Sequence, residues 1–111
     1  MSEAHNVKIV NEGNFDAEVL KAKEPVIVEF WTEGCQPCKK LGNVIRKYTD
    51  QLKVAPCNVD ENAALAEKYG VRTIPTLLFF MDGVVLDQAM GTFNDINEEE
   101  VAAKCARLIA A

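Results

Sequence analysis

Val26-Ile27-Val28-Glu29-Phe30-Trp31, then Thr32-Glu33-Gly34, then Cys35-Gln36-Pro37-Cys38, is the stretch on which the reading of the fold turns. The first six residues form a near-continuous apolar run rich in β-branched and aromatic side chains. That is the pattern of a strand covered on both faces, and so central in its sheet. Thr-Glu-Gly breaks the run. From Cys35 to Leu52, apolar residues recur at Cys38, Leu41, Val44, Ile45, Tyr48 and Leu52, which predicts a helix beginning at the cysteines.

Upstream, Val7, Ile9 and Val10 predict a short first strand that ends at Asn11-Glu12-Gly13. Asn14 is placed to cap a helix with Phe15, Val19 and Leu20 on one face, and Pro25 closes that segment. Downstream, Val54 to Val59 reads as a strand, and Ala63 to Tyr69 as a short helix stopped by Gly70. Thr76 to Met81 and Val84 to Met90 flank Asp82-Gly83, a strong hairpin signal, so these two strands pair antiparallel. Asn97, with Glu100 three residues on, caps a last helix whose apolar face carries Val101, Cys105, Leu108 and Ile109. These elements predict an α/β fold over residues 1–111. It is a single domain and a three-layer sandwich, with a mixed central β-sheet of about five strands flanked by about four helices. Pro56 is out of place in an inner strand and predicts a bulge or a position beyond the end of its neighbour.

Composition narrows the function classes. The 111 residues are 49% hydrophobic and 26% charged, which suits one globule with its own core. Twelve basic against 17 acidic residues leave a net charge of −5, so the chain lacks the positive footprint needed for nucleic acid or an anionic membrane surface. Its longest apolar stretch, Ile74 to Met81, is far short of the roughly 20 residues that span a bilayer. Met-Ser-Glu-Ala-His-Asn at the start has neither a basic nor an apolar secretory region, so the expected location is cytoplasmic.

Function then rests on the cysteine pair. At a helix N-terminus, free N–H groups and the macrodipole stabilise a thiolate, the attacking species in disulfide exchange. Pro37 suits the first helical turn, where a missing N–H has no partner to lose, and its fixed φ stiffens the two-residue bridge. Cys35, nearer the exposed loop, is the expected nucleophile. Cys38, one turn further in, then displaces the mixed disulfide. A zinc half-site is the competing reading, since Cys38 and Cys57 are spaced like paired zinc ligands. It lacks a good fourth ligand: Asp60 stands three beyond Cys57, and His5 is the single histidine. No metal is therefore expected. Cys57 on a strand and Cys105 on the apolar face of the last helix read as small buried hydrophobes, with a regulatory or dimer-forming thiol the sharper alternative, stronger at Cys105.

Val28-Glu29-Phe30-Trp31, Cys35-Gln36-Pro37-Cys38-Lys39, Asn58-Val59-Asp60, Tyr69-Gly70-Val71-Arg72, Ile74-Pro75-Thr76 and Asp82-Gly83 together resemble the thioredoxin family over nearly the whole chain. The resemblance implies a thioredoxin-like fold and a protein-disulfide reductase with no bound cofactor, its redox centre being a Cys35–Cys38 disulfide. It implies a cis Ile74–Pro75 bond beside Cys35, and a shallow substrate groove involving Trp31, Gly34, Gln36, Ile74, Pro75, Gly91 and Thr92. Glu29, an acid inside the apolar run, takes the position of an acid that moves the proton of the inner cysteine. The implied partners are disulfide-containing proteins and a thioredoxin reductase or another electron donor, with the chain itself a monomer. Four positions depart from the family pattern. Gln36 replaces a glycine, Gly34 an aromatic residue, Pro56 a buried lysine beside the acid, and Asn43 a helix-kinking proline. Losing the lysine favours a protonated Glu29, and losing the aromatic residue alters the rim that partners meet. A thioredoxin-fold binding adaptor, or a specialised redox protein with a non-standard reductase, is the alternative function.

Overall fold

A computed structural model of the chain describes residues 6–91 and 97–111. Among the described residues the sheet has four strands, β1 (Val26–Trp31), β2 (Lys53–Asn58), β3 (Thr76–Met81) and β4 (Val84–Met90), in the order β2-β1-β3-β4. β1 is parallel to β2 and antiparallel to β3, so the sheet is mixed and the VIVEFW run is central. Asp82 and Gly83 both have positive φ, as a two-residue hairpin between right-twisted strands requires. A Cβ on Gly83 would stand 2.8 Å from the Leu20 carbonyl oxygen, so only glycine fits there.

Alternation along the strands divides the core in two. Ile27, Val54, Leu77 and Phe79 face α1 (Gln36–Ile45) and α3 (Glu98–Ala110), meeting Leu41, Ile45, Cys105 and Leu108. Val26, Val28, Phe30, Ala55, Cys57, Leu78 and Phe80 face the other way, towards Phe15, Val19 and Leu65 of α2 (Ala63–Lys68). Each large apolar side chain so buried contributes about 1.5–3 kcal/mol, which is why β1, apolar on both faces, is the spine of the domain.

Expectations are corrected at three places. The first is the fifth strand. The segment at residues 7–10 does lie along β2. Val54 N–H donates to the Asn6 carbonyl (3.0 Å), Lys8 N–H to the Val54 carbonyl (2.9 Å) and Val10 N–H to the Pro56 carbonyl (2.9 Å). The remaining rung of a parallel ladder would run from residue 56 to the Lys8 carbonyl, and proline has no N–H to give. One isolated bridge, Val7 to Val54, is left in place of a strand. Pro56 itself sits in unbroken register with Glu29, at no bulge, because its nitrogen faces this outer segment rather than β1. Second, Asn11 and not Asn14 caps the first helical segment. Its Oδ1 accepts the N–H of Gly13 and Asn14 (2.7 and 3.0 Å), while Asn14 Oδ1 accepts the Asn11 N–H (2.8 Å), a reciprocal cap. That segment widens into a π-helix over Asp16–Leu20, with Lys21 N–H reaching back five residues to Asp16. Third, the helix expected to run to Leu52 ends as α1 at Ile45 and tightens to a 3₁₀ turn over Arg46–Tyr48. There the Thr49 hydroxyl and N–H both donate to the Arg46 carbonyl. The cap on α3 stands as read, with Asn97 Oδ1 accepting the Glu100 N–H at 2.9 Å.

Candidate active site

β1 delivers the chain through Thr32-Glu33-Gly34 to Cys35, which is extended (φ −87°, ψ 101°) and forms the N-cap of α1 with Pro37 in the first turn. The Cys35 sulfur accepts the Cys38 N–H at 3.1 Å, so a sulfur occupies the place where an N-cap oxygen usually satisfies an orphan donor. The two cysteines are joined in a disulfide with Cα atoms 5.3 Å apart. Cys35 is half-exposed and Cys38 only 4% exposed, so an incoming partner reaches the first sulfur and not the second. Gly34 has φ +76° and open space around it, a conformation that strains any side chain and accounts for glycine at this rim.

The Ile74–Pro75 peptide bond is cis. Ile74 lines a shallow groove of about 610 Å³ together with Gly34, Cys35, Gln36 and Pro37. Gly91 is buried, and its N–H donates to the Pro75 carbonyl at 3.0 Å. Trp31 lines a different cavity, behind the disulfide, and its indole N–H is buried with no hydrogen-bond partner among the described residues. Thr92 lies outside the described residues.

That second cavity, about 310 Å³, holds Glu29. Glu29 is 3% exposed, and burial pushes its carboxyl pKa up to about 7 against a downward pull from the Arg46 guanidinium. Cys38, Gly42 and Arg46 face the same cavity, four residues apart in turn along one side of the helical run, and Pro56 closes it from β2. A Cβ on Gly42 would lie 3.2 Å from Arg46 Nη1 and 3.3 Å from Glu29 Oε1, so the glycine is the gap through which cation and acid approach each other. The sequence pattern singled out neither Gly42 nor Arg46 as a site residue. The i, i+4, i+8 stripe from Cys38 was the signal available. Asp60 was quoted as part of a motif and given no place in the site. Its carboxylate accepts the Thr32 hydroxyl at 2.5 Å, tying the loop before the cysteines to the end of β2.

The other two cysteines are elsewhere. Cys57 lies among the side chains facing α2, its thiol pushed up to about 11 by burial and by the nearby Glu12. Cys105 lies under α3, its thiol pushed up to about 11 by burial. Among the described residues, no three His, Cys, Asp or Glu side chains are grouped to hold a metal ion.

The thioredoxin family model matches residues 6–105. Thioredoxin 1 of Synechococcus elongatus is 42% identical over 86 residues, covering 74% of this chain and 80% of the relative. Thioredoxin of Pseudomonas aeruginosa is 44% identical over 89 residues, covering 77% and 82%. The crystal structure of Malassezia sympodialis thioredoxin superposes with a TM-score of 0.78 at 25% identity, covering 93% of this chain and 90% of that one. With a disulfide-bonded CxxC pair at a helix N-terminus and relatives of this closeness, the chain belongs to the thioredoxin family and is a thiol-disulfide oxidoreductase with protein-disulfide reductase activity.

Proposed function

We propose that the protein is a cytoplasmic, monomeric reductase of protein disulfides that works through the Cys35-Gln36-Pro37-Cys38 dithiol and takes its electrons from a thioredoxin reductase or an equivalent donor. The observation that assigns the attacking and resolving sulfurs is the Cys38 N–H directed at the half-exposed Cys35 sulfur, with Cys38 buried behind it. In the reduced protein, the N–H and the start of α1 favour a Cys35 thiolate. That thiolate attacks a substrate disulfide, forming a Cys35–substrate bond and expelling one substrate thiolate. Cys38 loses its proton to the Glu29 carboxylate and attacks Cys35. The Cys35–Cys38 bond forms, the second substrate thiolate leaves, and it takes up a proton. Two electrons pass from the dithiol to the substrate.

A carboxyl titrating near 7 suits this exchange, because it both accepts and releases a proton at neutral pH. Gly34, Gln36, Ile74, Pro75, Gly91 and Thr92 are assigned to the substrate groove, with the Ile74 backbone pairing to an extended substrate segment. Trp31, expected in that groove, lines the Glu29 cavity instead and is given no substrate contact. The expected midpoint lies within tens of millivolts of about −270 mV. The test is reduction of a protein disulfide with candidate reductases supplied in turn, alongside a redox titration. Turnover and a midpoint in that range support the reading. A midpoint near the −120 mV of a strong oxidant reverses the direction assigned.

A further inference from the structure

Pro56 leaves the β2 side of the Glu29 cavity without a charge, yet the cavity is not without a cation. Among its described lining residues, Arg46 and Lys39 are basic and Glu33 acidic. Cys35 and Cys38 complete the titratable groups that line it from α1 and the loop before it. From β2 and the segment alongside, the lining is Pro56, Val7 and Ile9, and from β3 the register partner of Glu29 is Leu77, so no titratable group faces the acid from there. Arg46 alone is shown close in. Its Nη1 and the Glu29 Oε1 both lie within 3.3 Å of the point where a Cβ on Gly42 would stand. Any larger residue at 42 would crowd both groups.

We propose that Arg46 is the counter-charge to Glu29, reaching it across the gap that Gly42 leaves in α1, and that it thereby governs when the carboxylate is free to take the proton from Cys38. Arg46 touches no reacting sulfur, so it is a positioning residue acting through Glu29. The pairing deepens the proton-transfer reading given above and rests on it for its functional consequence. Chemically, the guanidinium favours the ionised carboxylate, the form that accepts the Cys38 proton, while burial favours the protonated form. A cation on a flexible side chain at the cavity edge therefore sets the balance in place of a fixed one from the sheet.

The test uses the full chain in its oxidised form, with the Glu29 carboxyl carbon followed by NMR against pH and its signal assigned by its loss in Glu29→Gln. Arg46→Gln is expected to raise the Glu29 midpoint by about half a unit or more, with Arg46→Lys holding it between. Gly42→Ala keeps the cation and closes the gap, and it is expected to move the midpoint the same way. Circular dichroism and thermal unfolding of each variant confirm the fold. The pH profile of mixed-disulfide resolution is expected to shift with the carboxyl. An Arg46→Gln protein whose Glu29 midpoint is that of wild type overturns the pairing. If Glu29→Gln resolves mixed disulfides at the wild-type rate, the proton-transfer reading fails instead, a result separable from the first because the midpoint shift in Arg46→Gln is read without any turnover.

Discussion

The chain carries four cysteines of one chemical kind in two contrasting settings. Cys35 and Cys38 sit where a central strand turns into a helix, one sulfur half-exposed and receiving an N–H, the other just beneath it. Cys57 and Cys105 sit in the two halves of the core, fully enclosed by apolar side chains, with thiols pushed up to about 11. A thiol is a nucleophile only to the extent that it ionises. The first setting lowers the cost of the negative charge with oriented N–H groups, and the second raises it by taking water away. Position in the fold separates the redox centre from two small hydrophobes.

Substitutions probe that contrast in descending order of effect. Cys35→Ser removes the attacking sulfur, and disulfide reduction is expected to fall to the uncatalysed level in a protein-disulfide reduction assay. Cys38→Ser keeps the attack and removes the resolution. One substrate equivalent is expected to remain covalently attached, visible as an added mass on the intact protein under non-reducing conditions.

Glu29→Gln acts between the two settings, because Glu29 is as buried as the core thiols yet belongs to the redox centre. Turnover at neutral pH is expected to slow by roughly a hundredfold, the low end of general acid–base effects. Stability moves the other way. The folded carboxyl, raised from 4.5 to about 7, binds more proton than the unfolded one between those values. Wild-type stability therefore falls as pH rises from about 4.5 to 7 and is level above. Removing the acid is expected to stabilise the fold by on the order of 2–3 kcal/mol at pH 8 and by little at pH 4, as urea unfolding at the two pH values would record. Equal effects at both would break the assignment. Cys105→Ala is the mildest, a loss of about 1 kcal/mol from a small cavity with disulfide reduction unchanged. A marked fall in activity there would erase the distinction between the two pairs.

Much of this was legible in residue order. The VIVEFW run announced a central strand because both of its faces are apolar, and Asp82-Gly83 announced a hairpin because the turn needs two residues that tolerate positive φ. The cysteine pair was legible as soon as a strand preceded it and a helix followed. What escaped depended on partners distant in sequence. The outer segment at residues 7–10 reads as a strand by composition. Whether it completes a ladder is decided by the missing N–H of Pro56, some fifty residues away. Asn11 and Asn14 both have the chemistry of a cap, and only the path of the chain chooses between them. The charge partner of Glu29 was sought at residue 56, on the neighbouring strand, whereas the cation lining its cavity beside Gly42 is Arg46, at the start of the 3₁₀ turn that follows α1.

The contrast between the cysteine pairs is tested most directly on the reduced protein, by the rate of alkylation at each cysteine as a function of pH, with the sites read by mass spectrometry. The account predicts that Cys35 ionises well below the ordinary thiol value of about 8.5, while Cys57 and Cys105 stay unreactive until the fold is lost. Ordinary ionisation at Cys35, or reaction of the core thiols at comparable rates in the folded protein, would contradict it.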